Sequence, residues 1–200
     1  SSRRRHTRLL TVTGVQTCAL PISQQMAYDD VIQLFGRSHR TLTPTINGAG
    51  TKELFEKNPS LKTDPRFTLY PQWIQRTVAQ GQYSFAVDPR GGSGKMVLDV
   101  MKAGGLIVAG TDTPNAINLH GEIKAYTMAG MSNFDALKTA TVNPAKALGL
   151  NAGTIEAGKL ADLIVLDGNP LESIGNTTKV KTVIANGRVY EAAQLATRGQ

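Results

Sequence analysis

Two hundred residues with 40% hydrophobic and 18% charged side chains suit one globular domain, or part of a larger one, and exclude a low-complexity or collagen-like chain. No apolar run approaches the roughly 18 residues of a membrane-spanning helix, and a single cysteine, Cys18, excludes an internal disulfide framework or a cysteine-based zinc cluster while leaving the compartment undetermined. The net charge of +7 invites a nucleic-acid reading, yet Arg3, Arg4, Arg5 and Arg8 all precede the first acid, Asp29. Beyond residue 22 the count is 18 basic against 15 acidic residues, dispersed and without a basic stripe interleaved with aromatics, so no nucleic-acid partner is expected.

Residues 1–22 differ in character from the rest of the chain. Their basic start and unperiodic middle fit neither a secretion signal, since Thr11, Thr13, Gln16 and Thr17 interrupt the apolar run, nor a helix of the domain. They resemble translated sequencing-adapter sequence and are expected to be a disordered leader. Between Gln24 and Arg40, Ala27, Val31, Ile32, Leu34 and Phe35 follow helical spacing. Thr41 to Ile46 reads as a strand, and Asn47-Gly48-Ala49-Gly50 as a loop after it. Lys52 to Tyr83 is broken into short helices by Pro59, Pro65 and Pro71, in the manner of a lid or an inserted helical layer.

Asp88 to Met96 tempts a phosphate-loop reading but has Pro89 where the first glycine belongs and Met96 where a Ser or Thr would hold magnesium; a helix capped by Ser93 and running to Lys102 is expected instead. Leu106-Ile107-Val108-Ala109, bounded by glycines, reads as a buried parallel strand ending in Thr111-Asp112, with Pro114 preventing its continuation. That puts a carboxylate at the carboxyl end of a parallel strand, the place where α/β barrels carry their chemistry; the alternative is that Asp112 merely serves a turn.

A helix from Leu119-His120-Gly121-Glu122 to Gly130 comes next, then one capped at Ser132 or Asn133, then one started by Pro144 and stopped at Gly149. His120 and Glu122, two apart on a helix, cannot share a face and so are no two-ligand metal pair. The last fifty residues turn to β: Leu163 to Leu166, Val180 to Ala185, and a return through the hairpin signal Asn186-Gly187 to Arg188-Val189-Tyr190.

Several of these motifs, in order, resemble the C-terminal part of the metal-dependent amidohydrolases, in particular imidazolonepropionase-like and prolidase-like members. They are Gly110-Thr111-Asp112, Leu119-His120-Gly121-Glu122, Ala140-Thr141-Val142-Asn143-Pro144-Ala145, the run Gly153 to Leu163, and Val183-Ile184-Ala185-Asn186-Gly187. The resemblance implies an α/β fold: the last strands and helices of a (β/α)8 TIM barrel over residues 23–150, a β-sandwich segment over 151–191 and a tail over 192–200. It implies that Asp112 binds a divalent metal, zinc foremost, and takes the proton of the water that attacks an amide carbonyl. His120 is the candidate substrate contact, with an exposed or packed histidine as the alternative. Lys159, Asp162 and Asn186 are read as turn residues of the sheet.

The family pattern also needs a His-x-His pair and further ligands, whereas the histidines here are His6, His39 and His120. One carboxylate cannot hold a catalytic zinc, which takes three or more protein ligands. The expectation is therefore a fragment of an enzyme acting on a small-molecule amide or dipeptide-like substrate, inactive without a missing N-terminal barrel half and with exposed sheet edges. A non-catalytic binding or assembly domain built on a barrel remnant is the alternative.

Overall fold

A computed structural model describes residues 29–38, 40–81, 88–113 and 115–197. The leader 1–22, with His6 and Cys18, lies outside them, as do His39 and Pro114. The first described helix, α1 (Asp29–Arg37), leads into β1 (Thr41–Leu42), α2 (Asn47–Lys57), two 3-10 turns (Pro59–Lys62 and Pro65–Leu69), α3 (Gln72–Ala79), α4 (Gly92–Lys102) and β2 (Leu106–Ile107). Strands β1 and β2 pair in parallel, Thr41 opposite Leu106 and Leu42 opposite Ile107. The ladder is extended by the Leu106 N–H donating to the Arg40 carbonyl and the Val108 N–H to the Leu42 carbonyl.

Three helices follow, α5 (Ile117–Ala129), α6 (Asn133–Lys138) and α7 (Val142–Leu148), and then strands β3 (Leu163–Leu166), β4 (Val180–Ala185) and β5 (Arg188–Glu191) in one antiparallel sheet of that order. The β4–β5 turn has positive φ at both Asn186 (50°) and Gly187 (76°), as a two-residue hairpin requires. Ser132 caps α6 by accepting from the Asp135 N–H at 3.0 Å.

Several local expectations are corrected. The strand expected to end in Thr111-Asp112 is paired only over Leu106–Ile107, so Asp112 lies five residues beyond it. The strand begun at Thr41 stops at Leu42, because Thr45 (φ 54°) turns the chain out of the sheet. Asn47 to Gly50 is the first turn of α2 rather than a loop. Helix α4 starts at Gly92 with Gly91 in the capping position, so Ser93, buried inside the first turn, caps nothing. Residues 192–197 form helix α8, packed against the Pro65–Leu69 turn, where a tail was expected. Among the described residues the C-terminal sheet is a single three-stranded layer, and α8 packs against its β4 and β5.

Helix α5 is the organising element. It carries apolar residues around most of its circumference, with Ile117, Ile123, Ala125 and Tyr126 all buried, as befits a helix enclosed by others. It crosses α2 at close range through two glycines: a Cβ on Gly50 would lie 2.0 Å from the Gly121 carbonyl oxygen, and one on Gly121 would lie 1.9 Å from Thr51 Oγ1. Leu42, Ile107, Val97, Val100 and Ile123 form the main core, while Phe55, Ile74, Val78 and Ile117 form a second cluster beneath the 3-10 turns.

The outer edge of β2 is closed without a further strand. Asn143 Nδ2 donates to the Ile107 carbonyl at 2.7 Å, and the Ala109 N–H donates to the Thr139 carbonyl at 2.9 Å. The Asn-Pro motif at 143–144 thus has a physical task, satisfying backbone that would otherwise be stranded at a half-buried strand.

Candidate active site

Both parallel strands release the chain at their carboxyl ends through a residue in the left-handed region: Thr45 (φ 54°) beyond β1 and Asp112 (φ 50°) beyond β2. For a β-branched threonine this is an uncommon and strained geometry, and strain of this kind collects at functional sites. The Asp112 carboxylate is exposed, on the outside of a turn whose two flanks are held. Asn47 Nδ2 donates to the Thr111 carbonyl at 3.1 Å, and the Thr111 hydroxyl donates to the Thr113 carbonyl at 2.7 Å. Asn118 Nδ2 donates to Thr113 Oγ1 at 2.9 Å, while its Oδ1 accepts from the Thr51 hydroxyl at 3.1 Å. First-turn residues of α2 and α5 therefore fix the segment that carries Asp112, with no described partner pulling the carboxylate itself aside.

Behind this turn lies a group that the sequence spacing only excluded from a metal pair. Glu122, on α5, is completely buried. Burial pushes its carboxyl up to about 8, against the opposing pull of the Tyr126 hydroxyl, the backbone N–H groups of Ile46 and Thr45, and the Asn47 amide. These groups face the carboxyl without closing a well-aligned hydrogen bond to either oxygen. Thr45 Oγ1, Asn47 Oδ1 and the Tyr126 hydroxyl are likewise buried without a partner among the described residues. Burial, and then the neighbouring Glu122, also hold the Tyr126 hydroxyl well above its ordinary range. The one signal available in sequence was an acid placed between Gly121 and Ile123 on a helix with apolar residues around most of its circumference.

His120 faces another way, onto a cavity of about 310 Å³ bordered by Phe55, Phe67, Tyr70, Ile117 and Val183. Burial, with a smaller contribution from the Arg66 charge, lowers its imidazole to about 4, so the ring is neutral at physiological pH. The expected divergence of His120 and Glu122 is what the helix shows. Among the described residues no hydrogen bond or ion pair joins His120 to Asp112.

The other motif residues are structural in their contacts. The Asp162 carboxylate accepts from the Asn186 N–H at 2.6 Å, bracing the hairpin, and Lys159 pairs with Glu156 at 3.5 Å. Among the described residues no group of three or more His, Cys, Asp or Glu side chains is placed to hold a metal ion. Asp112 offers one carboxylate ligand, so the described residues do not by themselves fit a catalytic metal, and no step is derived through one.

The family model described as "Amidohydrolase family" matches residues 27–190. A 5-methylthioadenosine/S-adenosylhomocysteine deaminase of Thermococcus sibiricus is 37% identical over 123 residues, covering 49% of this chain and 29% of the deaminase. An ochratoxinase of Aspergillus niger is 38% identical over 110 residues, covering 50% of this chain and 22% of that enzyme. The chain thus spans under a third of the length of either relative. Among solved structures, a Xaa-Pro dipeptidase crystallised with methionine in its active site superposes with a TM-score of 0.55 at 26% identity, over 82% of this chain and 37% of the dipeptidase. With the match running from before α1 to β5, the chain belongs to the amidohydrolase family.

Proposed function

We propose that this chain is the strand-end portion of an amidohydrolase that hydrolyses a carbon–nitrogen bond in a small amide or dipeptide-like molecule. In this reading β1 and β2 are neighbouring strands of a (β/α)8 barrel and the antiparallel sheet is part of a β-sandwich. Asp112 is the proton acceptor for the attacking water and His120 contacts the substrate. The observation that carries the reading is the placement of Asp112: an exposed carboxylate in the segment that leaves β2, five residues past Ile107, in a left-handed turn pinned by Asn47 and Asn118. A carboxylate free of competing partners suits a group that must accept a proton.

The relatives named as deaminases and ochratoxinase support the bond class, and the likeness to a Xaa-Pro dipeptidase favours the prolidase-like side of the substrate range over the imidazolonepropionase-like one. A divalent metal, zinc by preference, belongs to the reading as a family property; Asp112 would supply one of its ligands, and the remaining ligands must come from outside the described residues.

Two measurements test this. The chain alone, assayed with zinc against the dipeptide Ala-Pro, is expected to show no turnover; turnover that Asp112→Ala abolishes would contradict that part. Complemented with the N-terminal barrel portion of the Xaa-Pro dipeptidase, it should gain hydrolysis that Asp112→Asn lowers by about 10²- to 10⁴-fold. Undiminished hydrolysis by the Asn form would end the assignment of Asp112.

A further inference from the structure

We infer that the cavity beside His120 is a binding site for a small, uncharged aromatic molecule that presents a hydroxyl or amino hydrogen to the imidazole. The walls set the shape and polarity of the occupant. At about 310 Å³ the cavity sits at the small end of the range of roughly 300–1,000 Å³ usual for ligand sites. The Phe55 and Phe67 rings meet edge-on at 6.3 Å between centroids, and Phe67 and Tyr70 lie tilted at 5.5 Å, an aromatic wall that offers a flat guest both ring faces and ring edges. Ile117, Val180, Val183 and Ala192 close the other sides with aliphatic surface.

Charge and hydrogen bonding narrow it further. Arg66 is the cation on the wall, and its guanidinium is already committed: Nε donates to Asp64 Oδ1 at 2.8 Å, Nη2 to Asp64 Oδ2, and Nη1 to the Val180 carbonyl at 2.8 Å. The Asp64–Arg66 pair is thereby self-neutralised, leaving no free charge to draw an anion or a cation inward. The Thr178 hydroxyl donates to the Gly175 carbonyl at 2.9 Å, and the Tyr70 hydroxyl faces the Ile117 backbone. His120 is left as the polar wall residue with an unspent group: its Nδ1 is buried and has no hydrogen-bond partner among the described residues. A buried imidazole nitrogen without a partner is costly, and a guest hydroxyl would relieve that cost. The inference deepens the reading of His120 as a substrate contact and rests on it there. It does not depend on Asp112.

The test is binding of p-cresol and of toluene to the 200-residue chain, followed by titration calorimetry and by the imidazole nitrogen resonances of His120. No metal is added and no bond is cleaved, so a failure here touches the cavity alone and leaves Asp112 to the hydrolysis assay. Both probes should bind, p-cresol more tightly by about 2- to 10-fold and p-cresol alone shifting the His120 nitrogen signals. Val183→Trp should abolish binding of both by filling the cavity. His120→Phe, which keeps the wall apolar, should retain toluene and erase the preference for p-cresol, and it decides the matter if the tryptophan variant does not fold. The charged analogue 4-methylbenzoate should fail to compete. The inference is overturned if p-cresol does not bind, if it binds wild type and His120→Phe with the same preference over toluene, or if 4-methylbenzoate binds as tightly.

Discussion

Glu122 and His120 occupy one helix two positions apart, and burial drives their protonation equilibria in opposite senses: the carboxyl up to about 8, the imidazole down to about 4. Taken separately, Glu122 keeps its proton in the folded state while the unfolded chain loses it near pH 4.5. Its contribution to stability is complete below that value and is lost as pH rises towards 8. His120 is neutral when folded and protonated below about 6.5 when unfolded. Its contribution is complete above 6.5 and is lost as pH falls towards 4.

Between pH 4.5 and 6.5 the two slopes oppose one another and cancel, and between 6.5 and 8 the Glu122 slope stands alone. Wild type should therefore be level from pH 5 to 6 and lose stability from 6.5 to 8, with a slope approaching about 1.4 kcal/mol per pH unit. Glu122→Gln, which keeps the shape and removes the titration, should instead gain stability up to pH 6.5 and stay level above it. Denaturant midpoints at half-unit steps from pH 5 to 8 check this; a Gln variant with the wild-type profile would show that Glu122 is ionised in the folded chain. Sequence spacing established that these two side chains diverge, but it could not rank them. Whether a polar residue on an apolar helix meets water or a neighbouring element depends on what packs over it, which no local pattern reports.

The elements depend on a few close approaches. Helices α2 and α5 touch through Gly50 and Gly121 because neither position has room for a Cβ. Their contact in turn aligns Asn47 and Asn118 on either flank of the Asp112 turn. Gly121→Ala should cost about 1–3 kcal/mol by forcing the helices apart, the penalty typical of overpacking. Asn143→Ala should cost about 1–3 kcal/mol by leaving the Ile107 carbonyl unpaired at the edge of β2. Thermal and denaturant unfolding measure both losses, and an unchanged midpoint in either variant would remove that contact from the account.

At this scale the sequence was partly legible. The Ser132 cap, the helix stop at Gly130 and the Asn186-Gly187 hairpin are local devices and lie where their residue types predict. The strand from Thr41 was expected to reach Ile46 and instead ends at Leu42. Strand length depends on which partner lies alongside, and Thr45 leaves the pair before the apolar run ends.

Over the whole molecule, a large apolar surface faces solvent. Ile155 is 87% exposed, Leu148 64%, Val189 63% and Phe134 61%, and β5 is exposed along its full length at the edge of its sheet. An open edge strand that exposes Val189 and Tyr190 between Arg188 and Glu191 is a template for pairing with another chain. Light scattering should therefore rise with protein concentration, and Val189→Lys, on the exposed edge, should lower that rise while leaving the circular dichroism spectrum unchanged. Equal scattering from both forms would place the association elsewhere. No described helix is long and apolar enough to cross a membrane.

What the amino-acid sequence determined unaided was the set of features written within a few residues of one another. These are most of the alternation of helices and strands, the Ser132 cap and the Asn186-Gly187 turn, the motifs that mark the family, and an aspartate in the segment that leaves a short strand. What only the tertiary structure decided was environment: that Glu122 is sealed under the end of β1, that His120 borders a cavity, and that Asn143 and Thr139 close the outer edge of β2. The physical reason is the range of the forces involved. Backbone preferences and hydrogen bonds within a turn act between near neighbours in the chain. Desolvation and close packing depend on residues brought together from dozens of positions away.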